Sequence, residues 1–245
     1  MNKIKLKNVT LLGIDCVDIK RLILAAEICQ RHFDFAEVKL LTSLPARNKN
    51  VIKIPKIKSV EAYSRFIFEK LDRYVNTSHV LIFQYDGFIL NHRAWDNKFL
   101  KYDYIGAPWH VGKWRRKNFL FPKNLVGQQV VGNGGFSLRS KKLTALCFKL
   151  AKENKIKKIH PEDVAIGVYN RKLLEKHGVK FAPVSVAKKF SLEGNDIIGV
   201  IWKNQFGFHG LRWTDISNWL KKNPQYKINN NLDSWAMDLR AQLRR

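Results

Sequence analysis

Acidic residues are scarce in this 245-residue chain, with 20 Asp and Glu against 45 Lys and Arg and a formal charge of +25. A field of that sign attracts polyanions, whether nucleic acid, anionic lipid headgroups or phosphate-bearing substrates. The chain lacks the low-complexity basic tail that would favour nucleic acid: its lysines are dispersed, with short clusters only at 113–117 and 155–158. Cysteine is sparse and odd in number. Cys16, Cys29 and Cys147 sit among apolar neighbours with no C-x-x-C pair, which argues against structural zinc and a disulfide framework and for reduced core residues of a cytoplasmic protein. No run approaches the ~20 apolar residues of a membrane-spanning helix. The basic, then apolar, start is interrupted by Gly13 and Asp15 and has no small-residue cleavage site, so a soluble, unexported protein is expected. Neither G-x-G-x-x-G nor G-x-x-x-x-G-K-[ST] occurs, so a dinucleotide fold and a P-loop kinase both lack their phosphate cradle.

What is present reads as an α/β chain. Residues 7–14 form a first buried strand, Ile19 to Arg31 a helix and Phe35 to Leu41 a second strand, a β-α-β opening that implies parallel strands. A Pro- and Lys-rich connector, 44–58, leads to a helix capped near Ser59 with Tyr63, Phe66, Ile67, Leu71 and Tyr74 on one stripe. The stretch H-V-L-I-F-Q-Y-D-G-F-I-L at 79–90 is a strand buried on both faces. It delivers Gln84 and Asp86 to its carboxyl end, where open α/β sheets hold their ligands. On an extended chain those two side chains share one side. Taken alone, Asp86-Gly87 reads equally well as a hairpin turn. Residues 102–109 form a strand ending in a turn forced at Pro108, and 110–128 a loop beside a site. In V-V-G-N-G-G-F-S-L-R at 130–139 the glycines mark close backbone approach or a bulge, and Ser140 caps the next helix. In H-P-E-D-V, Pro161 with Glu162 and Asp163 is a helix start. V-K-F-A-P and A-K-K-F-S-L-E read as strand-like, and Q-F-G-F-H-G closes the core. In the tail, Leu232, Trp235, Ala236, Leu239 and Leu243 have helical spacing. That helix reads as docked on its own domain, ahead of peripheral contact with anionic membrane.

The polar groups at strand ends and near glycines suit transfer of a sugar from a nucleoside diphosphate. That chemistry needs charge neutralisation on the diphosphate, a tight pocket, and a carboxylate to deprotonate the acceptor hydroxyl. Asp86 and His209 are the candidate ligands for a divalent cation, Mn or Mg. Asp163 or Glu162, kept ionised at the positive end of a helix, is the candidate base. His209 viewed alone is equally a core histidine between Phe206 and Phe208.

Six motifs in series, Q-Y-D-G (84–87), Y-D-Y-I-G-A-P-W (102–109), G-N-G-G-F-S-L-R-S (132–140), P-E-D-V (161–164), F-S-L-E (190–193) and F-G-F-H-G (206–210), resemble a family of bacterial and viral glycosyltransferase-like proteins grouped with the GT-A fold. The resemblance implies one nucleotide-sugar-binding α/β sandwich over residues 1–210, with a mostly parallel sheet, and a C-terminal helical extension over 211–245. It implies a nucleotide-sugar donor and a glycan or glycolipid acceptor, such as lipopolysaccharide or capsule, with inversion at the anomeric carbon. Asp86 would occupy the last acidic position of a D-x-D motif whose first position is Gln84 here, followed by Gly87. Asn133, Gly134 and Gly135 would line the donor and acceptor sugars. Asp163, with Glu162 beside it, resembles the catalytic base of inverting members. His209 resembles a histidine completing the metal shell, and Asp15 stands where the donor's base and ribose are held. The competing reading keeps the fold as a non-catalytic basic module for nucleic acid or anionic membrane. A nucleotidyltransferase would need a Gly- and Lys-rich phosphate loop near the N-terminus, which is missing.

Overall fold

The computed structural model describes residues 2–111, 121–156, 158–194 and 200–228. The apolar runs become strands and the capped amphipathic stretches become helices. In chain order these are β1 (Ile4–Ile14), α1 (Ile19–Gln30), β2 (Phe33–Thr42), β3 (Val51–Lys53), α2 (Val60–Glu69), β4 (His79–Phe83), β5 (Tyr104–Ile105), β6 (Pro108–His110), β7 (Gln129–Val131) and β8 (Phe136–Ser140). There follow α3 (Lys141–Lys152), α4 (Glu162–Val164), α5 (Arg171–Lys176), α6 (Val184–Phe190), β9 (Ser191–Glu193), β10 (Val200–Ile201), β11 (Gly207–His209), β12 (Thr214–Asp215) and α7 (Ser217–Lys222).

The central sheet has the order β3-β2-β1-β4-β8-β5. Its pairs β1–β2, β1–β4 and β2–β3 are parallel, and β8 runs antiparallel to both β4 and β5. The expected α/β architecture with a mostly parallel sheet is therefore the observed one. Helix starts follow local chemistry: Asp18, Ser59 and Ser140 accept from the backbone N–H groups of Lys20, Ala62 and Leu143. β4 is buried along its whole length, because α/β sheets are covered on both faces. Of the three free thiols, those of Cys29 and Cys147 are pushed up to about 12 by burial, which keeps them protonated and inert.

Three local expectations change. Pro108 opens β6 and pairs with Val131, since a proline can begin a strand where no ladder donor is required of it. Val184–Phe190 is helical, with Pro183 at its start and Ala187 and Phe190 buried three apart, and the strand begins only at Ser191. V-K-F-A-P contributes only an isolated bridge between Tyr104 and Phe181. The helical pattern at 232–243, residues 112–120 of the 110–128 loop and with them the 113–117 cluster lie outside the described residues.

Past residue 210, β12 and α7 pack on the sheet domain. Leu211, Ile216 and Trp219 join the core, and the Trp219 indole N–H donates to the Leu90 carbonyl at 2.9 Å. Aromatic rings fill the layer below the site: Phe136, Phe190 and Phe206 lie with ring centroids 5.3–5.8 Å apart. Burying each such ring contributes about 1.5–3 kcal/mol, and together they fix where β11 lies against β8.

Candidate functional site

The chain after β4 folds back at once. Gln84 and Gly87 exchange both backbone hydrogen bonds at 3.1 Å, placing Tyr85 and Asp86 at the centre of a tight turn. The two readings of Asp86-Gly87 are thus both satisfied, since the turn itself presents polar side chains beyond the strand end. Asp86 lies in the turn rather than on the extended backbone of Gln84, yet both side chains reach one partner. His209 Nε2 lies 3.1 Å from Gln84 Oε1 and 3.6 Å from Asp86 Oδ1.

β9 and β11 pair in parallel with His209 opposite Glu193, and His209 Nδ1 lies 2.8 Å from Glu193 Oε1. Glu193 also accepts from the Trp109 indole N–H. Burial would lower the His209 pKa, but the Asp86 charge and the Glu193 hydrogen bond outweigh it and push it up to about 9. Burial raises the Asp86 carboxyl above the usual aspartate range, opposed by the His209 charge.

The N-G-G segment is the turn joining β7 to β8. Asn133 takes a left-handed φ of 69°, and its Oδ1 accepts from the N–H groups of Gly135 and Phe136 at 2.9 and 3.3 Å. Close approach accounts for the glycines. A Cβ on Gly135 would fall 2.0 Å from His209 Nε2, and one on Gly134 would fall 2.1 Å from Glu162 Oε1. The glycines thus let the turn press against two side chains from distant elements.

Glu162 and Asp163 play unlike parts at the start of α4. Glu162 is buried and bound to Arg139 Nη2 at 2.9 Å, and its pKa is raised to about 7 by burial against the opposing Arg139 charge. Asp163 is half-buried and accepts from Gly134 N–H at 3.2 Å and Val164 N–H at 2.8 Å. Burial and then the Glu193 charge raise its pKa, against those two N–H bonds. Loss of hydration therefore outweighs the helix-end field expected to keep the pair ionised.

Asp15 is committed locally. Its carboxylate accepts from the N–H groups of Val17 and Asp18 at 2.7 and 3.0 Å and from Arg21 Nε at 2.6 Å. The Arg21 guanidinium lies 3.6 Å over the Tyr85 ring, which links Asp15 to the Asp86 turn. Gln84, Asp86, Gly87, Asn133, Gly134, Gly135, Glu162, Asp163 and His209 gather in one cluster with Glu193, Trp109, Arg139 and Tyr63. Tyr63 Oη accepts from Gln84 Nε2 at 3.4 Å. Sequence reasoning assigned no role to Glu193 or Arg139. An arginine inside a short strand next to buried Leu138 was a usable signal, whereas Glu193 meets His209 only through strand register.

Four buried atoms in this cluster, Asp86 Oδ1, Asn133 Nδ2, Arg139 Nη1 and Glu162 Oε2, have no hydrogen-bond partner among the described residues. Such atoms mark either a cost or a place completed by a ligand. Gln84 Oε1 and Asp86 Oδ1 both lie near His209 Nε2, an oxygen and imidazole donor set for Mn or Mg once that nitrogen has lost the proton its raised pKa retains. Among the described residues no three His, Cys, Asp or Glu side chains gather into a cation site, so the amide of Gln84 and bound phosphate oxygens would have to complete one.

Among solved structures, galactosyltransferase LgtC in complex with donor and acceptor sugar analogs is similar at 15% identity, over 90% of this chain and 96% of that one, with a TM-score of 0.53. A glycosyltransferase involved in glycosylation of the major capsid of PBCV-1 is similar at 12% identity over 89% and 99% of the two chains, with a TM-score of 0.44. The bifunctional IspDF from Campylobacter jejuni is similar at 11% identity over 71% of this chain, with a TM-score of 0.42. This chain spans about half of that protein, 48% of its length. The likeness to LgtC shows a shared fold of the GT-A glycosyltransferase type. No curated protein matches by sequence. No helix among the described residues is long and apolar enough to cross a membrane. A family model described as "Protein of unknown function (DUF5672)" matches residues 48–209, two thirds of the sequence, and the chain belongs to that family.

Proposed function

We propose that this protein is a glycosyltransferase that moves a sugar from a nucleotide-sugar donor to a hydroxyl of a glycan acceptor such as a surface polysaccharide. The observation that carries this reading is the convergence of Asp86, His209, Asn133 and Asp163 beyond the carboxyl end of β4, where Asp86 Oδ1 and Asn133 Nδ2 are among the buried polar atoms without a hydrogen-bond partner.

Asp163 is assigned as base. Its carboxylate is half-buried and held by two backbone N–H groups, whereas Glu162 is tied to Arg139. As the acceptor oxygen bonds to the anomeric carbon, the bond from that carbon to the diphosphate breaks. The hydroxyl proton passes to Asp163 and the nucleoside diphosphate leaves, which inverts the configuration. Glu162 and Arg139 position the base from behind, and Asn133 Nδ2 is available to donate to a sugar hydroxyl. A divalent cation held by Asp86 and His209 would supply charge neutralisation on the diphosphate. Glu193 orients the His209 ring for that task.

The test is a thermal-shift panel of nucleotide sugars with and without Mn, followed by transfer assays on the stabilising donor. One donor should raise Tm by several degrees, and Asp163→Ala and Asp86→Ala should abolish transfer while remaining folded. Full transfer by both variants would overturn the site assignment.

A further inference from the structure

A second feature lies at the other end of the sheet. Arg31 and Phe33 stand at the amino end of β2, where Phe33 pairs with Ile4 of β1, whereas Asp86 follows the carboxyl end of β4. Three adjoining cavities of 360, 600 and 960 Å³ open at that end and share Arg93 in their linings. Their walls carry Arg93, Lys188, Lys189, Lys203, Lys221 and Lys222, all exposed. None of the six lies within ion-pair distance of a carboxylate among the described residues. Asp96 is the one acid in these linings.

The same face carries apolar surface. Ile201 is 52% exposed at the end of β10, next to half-buried Trp202, and lines one cavity with Lys203, Lys221 and Lys222. An exposed aliphatic side chain among lysines, with Asp215 across from Ile201 and near Lys221 as the acid beside it, matches the boundary of a bilayer, where the excess positive charge meets headgroups and the apolar tip enters the acyl layer. Nucleic acid would instead ask for free aromatic faces to stack bases. Here Trp219 is buried and stacked on Tyr226 at 5.7 Å, and the Trp202 indole N–H is held by the Gln205 carbonyl at 3.1 Å.

We infer that the face formed by Arg93, Lys188, Lys189, Lys203, Lys221 and Lys222 around Ile201 docks the protein on an anionic lipid bilayer. The inference is independent of glycosyl transfer, because these residues lie away from the Asp86 and His209 cluster.

The experiment is flotation of the full chain with vesicles of phosphatidylcholine alone or with roughly one-third phosphatidylglycerol. Binding should require the anionic lipid and weaken with salt. Each lysine near such a surface adds about fivefold to partitioning, so the triple substitution Lys203→Ala, Lys221→Ala and Lys222→Ala should lower it about 100-fold. Ile201→Asp should lower it further at high salt, where charge attraction is screened. All four positions are exposed, and an unchanged melting temperature confirms folding. Equal binding to neutral vesicles, or a triple variant that floats like the parent, overturns the inference. So does preferential capture by RNA that is insensitive to Ile201→Asp, which would assign the face to nucleic acid.

Discussion

Glu193 Oε1 lies 2.8 Å from Nδ1 of His209, its register partner across two short parallel strands. A carboxylate can only accept there, so Nδ1 keeps its proton, and Nε2, which faces Gln84 and Asp86, must lose its own before it can take a cation. Glu193→Ala should free the ring and cost about 10–100-fold in Mn affinity or transfer. Trp109→Phe removes only the second bond to Glu193 and should cost less. Mn titration by calorimetry beside transfer kinetics separates the two.

Gly135→Ala tests the pressing of the N-G-G turn against that imidazole. The new methyl carbon would fall 2.0 Å from His209 Nε2, so ring or turn must move. Donor-induced stabilisation should disappear while the variant still melts cooperatively. An unchanged thermal shift with donor would show that the ring's placement is not needed for binding.

The Arg139–Glu162 pair predicts a stability pattern. Both side chains are at most 5% exposed, so Glu162→Ala leaves a buried guanidinium without its partner and should destabilise by about 3–5 kcal/mol in urea unfolding. Replacing both residues with methionine should recover much of that loss, because no isolated charge remains.

Acidity should limit the rate through Asp163. A base works when ionised, and burial raises its carboxyl above the ordinary aspartate range. Transfer is therefore full above that raised value and falls as pH drops through it, at a higher pH than the ~3.9 of a free aspartate. A kcat/KM profile should show this limb, and Asp163→Asn should remove the activity at every pH.

Gln84→Asp would restore a second carboxylate beside Asp86. Mn should bind about tenfold more tightly, since charge count sets affinity at oxygen-rich sites. Equal affinity in the two proteins would place the cation away from Gln84.

Much of this architecture was legible in the chain. β4 announced itself as an unbroken apolar run, and Ser59 and Ser140 announced the helices they cap. These are local effects, set by residues a few positions apart. Ala187–Phe190, strand-like by its pattern, is the end of a seven-residue helix, a segment with too few periods to separate helix from strand.

The sequence by itself determined the order of elements, the polar ends of β4 and β11, and the glycines that could tolerate close approach. Only the tertiary structure decided which of those groups meet. Strand register set Glu193 against His209, the fold-back at Tyr85-Asp86 turned Gln84 and Asp86 onto the same imidazole, and burial separated Glu162, tied to Arg139, from Asp163. Contacts between residues 16 to 125 positions apart depend on packing and desolvation of the whole core. No local pattern in the chain encodes them.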